Sequence, residues 1–419
     1  MKWPGASTRV LAGLMLGASV GLALAHWLPA VATHAVAFAQ PVGRLWLAGL
    51  QMTVVPLVLA LVILGVASAS DAAMSGRMAR RTLTLFVLLL SGFALYAALL
   101  APVLLAWLPH DAELAATLRA SMAAPETMAA IPTLGERIGA IIPSNAIMAA
   151  AQNAMLPLVV FALFFGFALA RIATERRSQI LGLCQGIADT MVVIVHWILL
   201  AAPLGVFALV LVVCVEAGAG IIGALIGYIG LLCALYLGAI ALCYGIVRIG
   251  AGESAMRFAR GILPAQVIAA STQSSLASLP AMVECAERHL GYRRAVVALV
   301  LPMAVTLFRI TSPIQYIAAA CFIAWAYGIE LSALQLGAGA ALAVVISLGS
   351  VGLPGQVSFM ATVMPVTQSM GLPLEPLGLL LAVDTIPDIL ATTGNVTGDL
   401  AATSVLARRE DEPESPESL

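Results

Sequence analysis

The chain has 419 residues, of which 62% are hydrophobic and only 10% charged, with a mean hydropathy of +1.04. No soluble domain of this length hides so much apolar surface, so the sequence reads as a polytopic membrane protein. A net charge of −1 gives no electrostatic footprint for a nucleic-acid partner.

Six apolar stretches long enough to cross the hydrocarbon lie near residues 8–28, 45–69, 82–108, 144–170, 188–213 and 221–247. Lys2 and Arg9 precede the first, and Arg77, Arg80 and Arg81 follow the second. Arg171, Arg176 and Arg177 follow the fourth, and Arg248, Arg257 and Arg260 the sixth. The segment 109–143 instead carries Asp111, Glu113, Glu126 and Glu136 against Arg119 and Arg137. The positive-inside rule then puts both termini in the cytoplasm, with Arg408 and Arg409 closing the last helix. Lys2 and Arg9 ahead of an apolar run ending in Ala23-Leu24-Ala25 superficially resemble a secretory signal, but the run is long for one and its removal would unpair the later crossings. Cys184, Cys214, Cys233, Cys243, Cys285 and Cys321 sit in or beside apolar segments without metal-ligand spacing and read as packing residues.

After the sixth stretch the chain changes character. Ser271-Thr272-Gln273-Ser274-Ser275-Leu276-Ala277-Ser278-Leu279-Pro280 precedes an apolar run over 293–327, and Ser347 to Gly355, rich in Ser, Gly and Pro, precedes the last long apolar segment. Backbone that leaves the helix at membrane depth must be buried in protein or line a wet cavity. Small residues let two hairpin tips approach, and their free backbone groups and hydroxyls can ligate a polar solute or a cation. Duplicated hairpin-plus-helix units point to an inverted-repeat secondary transporter. Within 293–327, Pro313 opposes continuation of the preceding turn, so an unwound midpoint is expected over Thr306–Pro313. Arg309 lies there, an obligate cation that needs an anion.

The last apolar segment, 373–407, contains Asp384, Asp388 and Asp399. At the centre of a spanning helix each ionised Asp costs roughly 2.5–3.5 kcal/mol, so three uncompensated ones cost about 8–10 kcal/mol, too much for residues without a purpose. As one straight helix, Asp384, Ala391, Thr392, Asn395 and Asp399 share a sector of roughly 100° that also holds Asp388, one polar stripe on an apolar rod.

Asp384 to Asp399, DTIPDILATTGNVTGD, resembles the substrate and sodium helix of the dicarboxylate/amino acid:cation symporters, the family of the glutamate transporters and their archaeal aspartate-transporting relatives. Supporting patches are GLQMTVVPLVLALVILGVAS in the second span, IIPSNAIMAA before the fourth, APLGVFAL in the fifth, the Ser-rich first hairpin and GSVGLPG in the second. The resemblance implies an all-α protein of eight transmembrane helices plus two re-entrant hairpins, working as a homotrimer by an elevator motion in a cell membrane, here the bacterial inner membrane. Residues 1–81 would be scaffold helices one and two, and 82–108 transport-domain helix three. Residues 109–215 would hold the outer loop and scaffold helices four and five, 216–409 the rest of the transport domain, and 410–419 a disordered acidic tail. No prosthetic group is implied. The partners are a small-molecule substrate and membrane lipid, and the coupling ion is sodium or a proton.

Carried over by motif position, Asp388 would hold a substrate amino group, with Thr392, Asn395, Ser274, Ser275 and Gly352 completing the substrate site. Asp399, with carbonyls around Asn395, would contribute to a sodium site, and Ser350, Gly352, Pro354 and Gly355 would form the gate. Three departures stand out. The family's Arg for an acidic side chain is Ala391, which removes a bidentate anchor and favours neutral amino acids. The Arg that often precedes the first-hairpin serines is Gln273. The Asn-Met-Asp-Gly-Thr motif is replaced by Phe308-Arg309-Ile310-Thr311-Ser312, and the matching third-span positions are Val87, Leu90 and Ser91, of which only Ser91 keeps a hydroxyl. Hard cations need oxygen ligands, so at least one family sodium site is expected to be lost.

Three roles fit Arg309: a tethered cation replacing a sodium ion and paired with Asp399 or Asp388, an anchor for an acidic substrate in a proton-coupled or uncoupled carrier, or half of a structural ion pair. Asp384 fits equally a functional acid and a hydrogen bond within the bundle. An intramembrane aspartyl protease needs acids from different helices and a Gly-x-Gly-Asp context that Gly398-Asp399 lacks. The chain therefore reads as a carrier and not an enzyme, with a substrate sensor or channel on the same fold as the alternative of a different class.

Overall fold

The computed structural model describes residues 6–74, 76–108, 142–218, 220–349 and 355–411, in which every regular element is a helix. The first two are α1, Ala6–Trp27, and α2, Pro29–Met74, separated only by Leu28. Pro29 opens α2 where its missing N–H costs nothing. The 46 residues of α2 make a rod of about 70 Å at 1.5 Å per residue, so the expected span 45–69 is only its inner part. After α3, Arg77–Ala106, the expected fourth span is two pieces, α4, Ala146–Ala151, and α5, Met155–Leu169, broken at Gln152–Ala154 where Asn153 has φ 52°. The expected fifth span is likewise two helices, α6, Thr174–Leu200, and α7, Ala202–Ala217. Pro203 in the first turn of α7 stops α6 from running on. The sixth is α8, Gly220–Ile246, followed by a π-helical turn at Val247–Ala251.

The remaining elements follow the broken pattern. Helices α9, Ala255–Thr272, and α10, Ser275–Glu284, form the first hairpin, and a second π-helical turn at Cys285–His289 follows. Next come α11, Arg294–Leu307, and α12, Thr311–Ala326, with the expected unwound stretch reduced to Phe308–Ile310. Pro313 falls in the first turn of α12, which explains where that helix starts. The second hairpin has arms α13, Ala333–Gly349, and α14, Gly355–Ser369. Of the residues assigned to the gate, Ser350, Gly352 and Pro354 lie outside the described residues, and Gly355 begins α14. The charged loop over 109–141 lies outside them as well.

The final segment is not one rod. It consists of α15, Leu377–Val383, and α16, Thr385–Asp411, bent by 71°. Pro387 has no N–H for the Val383 carbonyl, four residues back, and its ring excludes that oxygen, so the bend falls at Asp384. Asp384 therefore sits at a corner and not on the α16 stripe. Helix α16 also runs two residues into the segment expected to be a disordered tail.

Five described helices are long and apolar enough to span a membrane, six if the bent pair counts as one, and four shorter apolar helices accompany them. Phe38, Leu45, Leu88, Leu99, Phe164 and Trp197 all face outward, as expected for surfaces in lipid. Helices α1, α2, α6 and α7 pack as one group, while α16 packs on α8, α9, α11 and α12. On α1, Gly13, Gly17 and Gly21 recur every four residues, and a Cβ on each would meet the carbonyl oxygens of Pro203, Phe207 and Leu211 at 2.4, 2.6 and 2.8 Å. This is small-residue packing of the kind that replaces hydrophobic drive inside a membrane.

At the end expected to be cytoplasmic, a polar clasp ties the first hairpin to α16. Tyr292 Oη donates to Glu253 Oε2 at 2.6 Å, Ser404 Oγ donates to the same oxygen at 3.1 Å, and Arg408 donates to the Ala251 carbonyl at 2.6 Å. Gly252, with φ 63°, lies under the Arg408 guanidinium, where both the left-handed backbone and the close approach require glycine. Burial and the Glu253 carboxylate push the Tyr292 hydroxyl well above its usual range, so it stays a donor. Tyr292→Phe leaves that carboxylate short of a partner and destabilises the protein by about 1.5–3 kcal/mol; a lowered unfolding temperature in detergent checks this.

Candidate substrate and ion site

The site forms where the α11–α12 break meets α16. Phe308 is extended, at φ −127° and ψ 92°, and Ile310, which precedes α12, has no capping side chain. The first amide of α12 would be an orphan. Asn395 of α16 supplies the missing cap from another helix: its Oδ1 accepts from the Thr311 amide at 3.0 Å and from Thr311 Oγ1 at 2.9 Å. Thr311 Oγ1 shares its proton with the Ala391 carbonyl at 3.2 Å. Glycine makes this approach possible, since a Cβ on Gly394 or Gly398 would lie 2.8 Å from Thr311 Cγ2 or Ile310 Cδ1.

Beside this joint, three polar groups are buried without partners. Asp399 is 0% exposed and neither carboxylate oxygen has a hydrogen-bond partner; Asn395 Nδ2 and Arg309 Nε are likewise buried and unpartnered. The Arg309 charge bears on both Asp388 and Asp399. It does not pair with either, since no Arg309 nitrogen lies within 4.0 Å of an Asp388 or Asp399 oxygen. The expected direct pairing of Arg309 with an aspartate is thus corrected to an electrostatic neighbourhood. Phe308, next to Arg309, lies flat on Phe86 of α3, with ring centroids 4.4 Å apart and 10° between planes.

The other expected residues fall into two groups. Ala391, Thr392 and Asn395 are buried together along α16, with Asp388 half-buried one turn earlier. At the first-hairpin tip, Gln273 adopts a left-handed conformation, φ 50°, and its Nε2 donates to the Thr385 carbonyl at 3.3 Å, which places the tip against the start of α16. Ser274 Oγ accepts from the Ala277 amide at 3.2 Å as a helix cap, and Ser275 opens α10 half-buried. Ser91 does not belong. It lies on the exposed face of α3, whereas Leu90 beside it is 0% exposed, so the third span brings no hydroxyl from position 91 to the site. From the second hairpin, Ser347 Oγ reaches the Arg309 carbonyl at 3.4 Å.

Sequence reasoning did not single out Gln315, whose Nε2 donates to Asp384 Oδ1 at 2.7 Å, or Gln266, whose Nε2 donates to Thr397 Oγ1 at 2.8 Å. Both are amides in locally apolar stretches of sequence, Gln315 between Ile314 and Tyr316 and Gln266 between Ala265 and Val267.

The model of the sodium:dicarboxylate symporter family matches residues 6–409. This chain belongs to that family. Among its relatives, the proton/glutamate-aspartate symporter of Escherichia coli is 29% identical, covering 96% of this chain and 92% of that one. The proton/sodium-glutamate symport protein of Bacillus subtilis is 28% identical, covering 97% and 93%. The neutral amino acid transporter A of Homo sapiens is 28% identical, covering 95% and 80%. The family is one of symporters and not of enzymes, and this member is a multi-pass membrane protein.

Asn395→Ala removes the acceptor of the Thr311 amide and strands a buried donor. A loss of roughly 1–3 kcal/mol follows, visible as a lower unfolding temperature in lipid nanodiscs, whereas Ser275→Ala leaves that temperature nearly unchanged.

Proposed function

We propose that this secondary symporter of a dicarboxylate or amino acid carries its solute between the first-hairpin tip and α16, and that its sodium coupling is altered. The observation that carries the reading is Asp399: a carboxylate with no exposed surface and no partner on either oxygen. Such a group is costly unless a cation or a proton joins it. The coupling ion, sodium or a proton, binds there. Asp388 faces the solute amino group, with Thr392 and Asn395 beside it.

Two features support the altered coupling. The side chains standing where the family has Asn and Asp are Phe308, stacked on Phe86, and Ile310, packed on Gly398, and neither offers an oxygen. Arg309 places a fixed positive charge within reach of both Asp388 and Asp399, substituting for a cation that would otherwise bind. With Ala391 in place of an anchoring Arg, a neutral amino acid is the favoured solute. A second reading has its own support: Arg309 Nε is buried and unpartnered, which leaves the guanidinium free to bind the side-chain carboxylate of an acidic solute. In either case the α1, α2, α4, α5, α6 and α7 helices form a fixed scaffold in a homotrimer of the bacterial inner membrane, both termini cytoplasmic. The remaining helices move as an elevator, with the second hairpin as gate.

Counterflow in proteoliposomes tests this with labelled L-alanine, L-aspartate and succinate, each with and without sodium. Exchange of alanine supports the neutral reading, exchange of aspartate or succinate the Arg309-anchor reading, and exchange of none points to a sensor. Arg309→Met makes exchange more sodium-dependent if Arg309 substitutes for a cation; unchanged dependence counts against that role. Asp399→Asn abolishes concentrative uptake yet stabilises the solute-free protein by about 1–3 kcal/mol, since it removes a buried charge that no hydrogen bond or ion pair satisfies. A lowered unfolding temperature would show that Asp399 is already compensated.

A further inference from the structure

A second cluster of buried polar groups lies between α8, α12 and the α15–α16 bend. Tyr228 and Tyr236 on α8 and Tyr316 on α12 are 0%, 0% and 1% exposed, and none of their hydroxyls has a hydrogen-bond partner. Buried tyrosines normally find one. Stranding a hydroxyl is costly, so three in one place are not explained by packing. Two of them lie near an acid. The Tyr228 hydroxyl lies within electrostatic reach of Asp384, and that of Tyr236 within reach of Asp384, Asp388, Tyr228 and Tyr316.

Asp384 is 8% exposed, at the corner where α15 ends. Gln315 Nε2 donates to its Oδ1 at 2.7 Å. The charged side chain bearing on it is Asp388, another acid, whereas the Arg309 charge bears on Asp388 and Asp399. The cavity that Val383 and Ile386 line is closed on the α1 and α7 side by Leu14, Met15, Val210, Val213 and the thiol of Cys214, none of them charged, and α14 carries no charged residue. Among the described residues a counter-charge thus bears on Asp388 and none on Asp384. Hard cations require a shell of oxygen ligands, but Gln315 turns its N–H edge toward the carboxyl. A proton requires only one oxygen lone pair.

We propose that Asp384 is a proton-carrying site separate from the Asp399 cation site, with the hydroxyls of Tyr228, Tyr236 and Tyr316 forming the path by which the proton enters and leaves. One O–H bond forms on the Asp384 carboxyl as water on one side of the membrane gives up a proton. The same bond breaks when water on the other side takes it, and nothing is oxidised or reduced. The hydroxyls make no direct hydrogen bond to one another or to Asp384, and a water molecule bridges such a gap. That this proton travels with solute rests on the symport reading; that Asp384 binds it does not.

The test uses the full-length protein in lipid bilayers, titrated across neutral pH while the carboxylic-acid C=O band is followed by infrared spectroscopy. A buried protonated-carboxyl band is expected that persists in Asp399→Asn, is lost in Asp384→Asn, and shifts its titration midpoint in Tyr236→Phe. A spectrum that Asp384→Asn leaves unchanged overturns the proposal. Should that variant fail to fold, an unmoved midpoint in Tyr236→Phe overturns it. Vesicles loaded with a pH dye and given L-alanine, L-aspartate or succinate supply the second arm, in which lumenal acidification with uptake is lost in Asp384→Asn. If Asp384→Asn acidifies the lumen as the wild type does, the proton site is wrong. If no solute acidifies the lumen of wild-type vesicles while the band still titrates as expected, the symport reading fails and the site stands.

Discussion

The structure depends on a helix cap delivered from a different helix. A break in the middle of a buried segment frees amides and carbonyls that lipid cannot satisfy, and the α11–α12 break has no capping side chain of its own. Asn395 resolves this by accepting from both the amide and the hydroxyl of Thr311. The same contact fixes the register of α16 against α12. Asp399, one turn further on, is thereby held beside the break, and Ala391 and Thr392, one turn back, are buried along the same face. Gly394 and Gly398 are needed for the same reason, because any larger residue would push α16 off Thr311 and Ile310.

Once that joint is made, the polar groups around it are divided unequally. The carbonyl side of the Asn395 amide is used in capping and its nitrogen is left over; Arg309 sits in the break without an ion pair; Asp399 keeps two unpartnered oxygens. A stable core would not retain such groups, because replacing them with apolar residues is often neutral or better. Binding solves the imbalance only while a ligand is present. A carrier needs that property, since its loaded and unloaded forms must differ in free energy by no more than the solute and ion supply.

Much of this was legible in residues whose chemistry conflicts with an apolar segment. The Ser and Thr cluster over 271–275 marked the first-hairpin tip, Pro313 marked the break, and the aspartates and Asn395 marked the site helix. Less was legible where the outcome depends on which way a helix faces. Ser91 keeps a hydroxyl but points outward, one position from buried Leu90, because a uniformly apolar span gives no period from which to read its faces. The bend at Asp384 was hidden for another reason: Pro387 acts on the carbonyl four residues before it, so the corner appears upstream of its cause. The Gly13, Gly17 and Gly21 series was visible as a spacing, but only the contact with α7 gives it meaning. Tyr228 and Tyr236 carry no signal in an apolar sequence, because only the structure shows that their hydroxyls are unpartnered.

The charge count of the buried face connects these observations. Asp384, Asp388 and Asp399 against Arg309 leave three negative charges and one positive, a formal −2 on the segment that the proposed motion would carry through the bilayer. Moving even one uncompensated charge to the membrane centre costs several kcal/mol. With a proton on Asp384 and one monovalent cation at Asp399, the count is zero, and a zwitterionic amino acid leaves it there. An acidic solute adds a negative charge and so requires one more proton or cation than a neutral one. The substitution of Ala391 for an anchoring arginine fits this balance, because an arginine there would leave the face overcharged when it carried a neutral solute with both ions bound. Solute charge and ion requirement are therefore linked through one set of four residues, and a change in any of them shifts both.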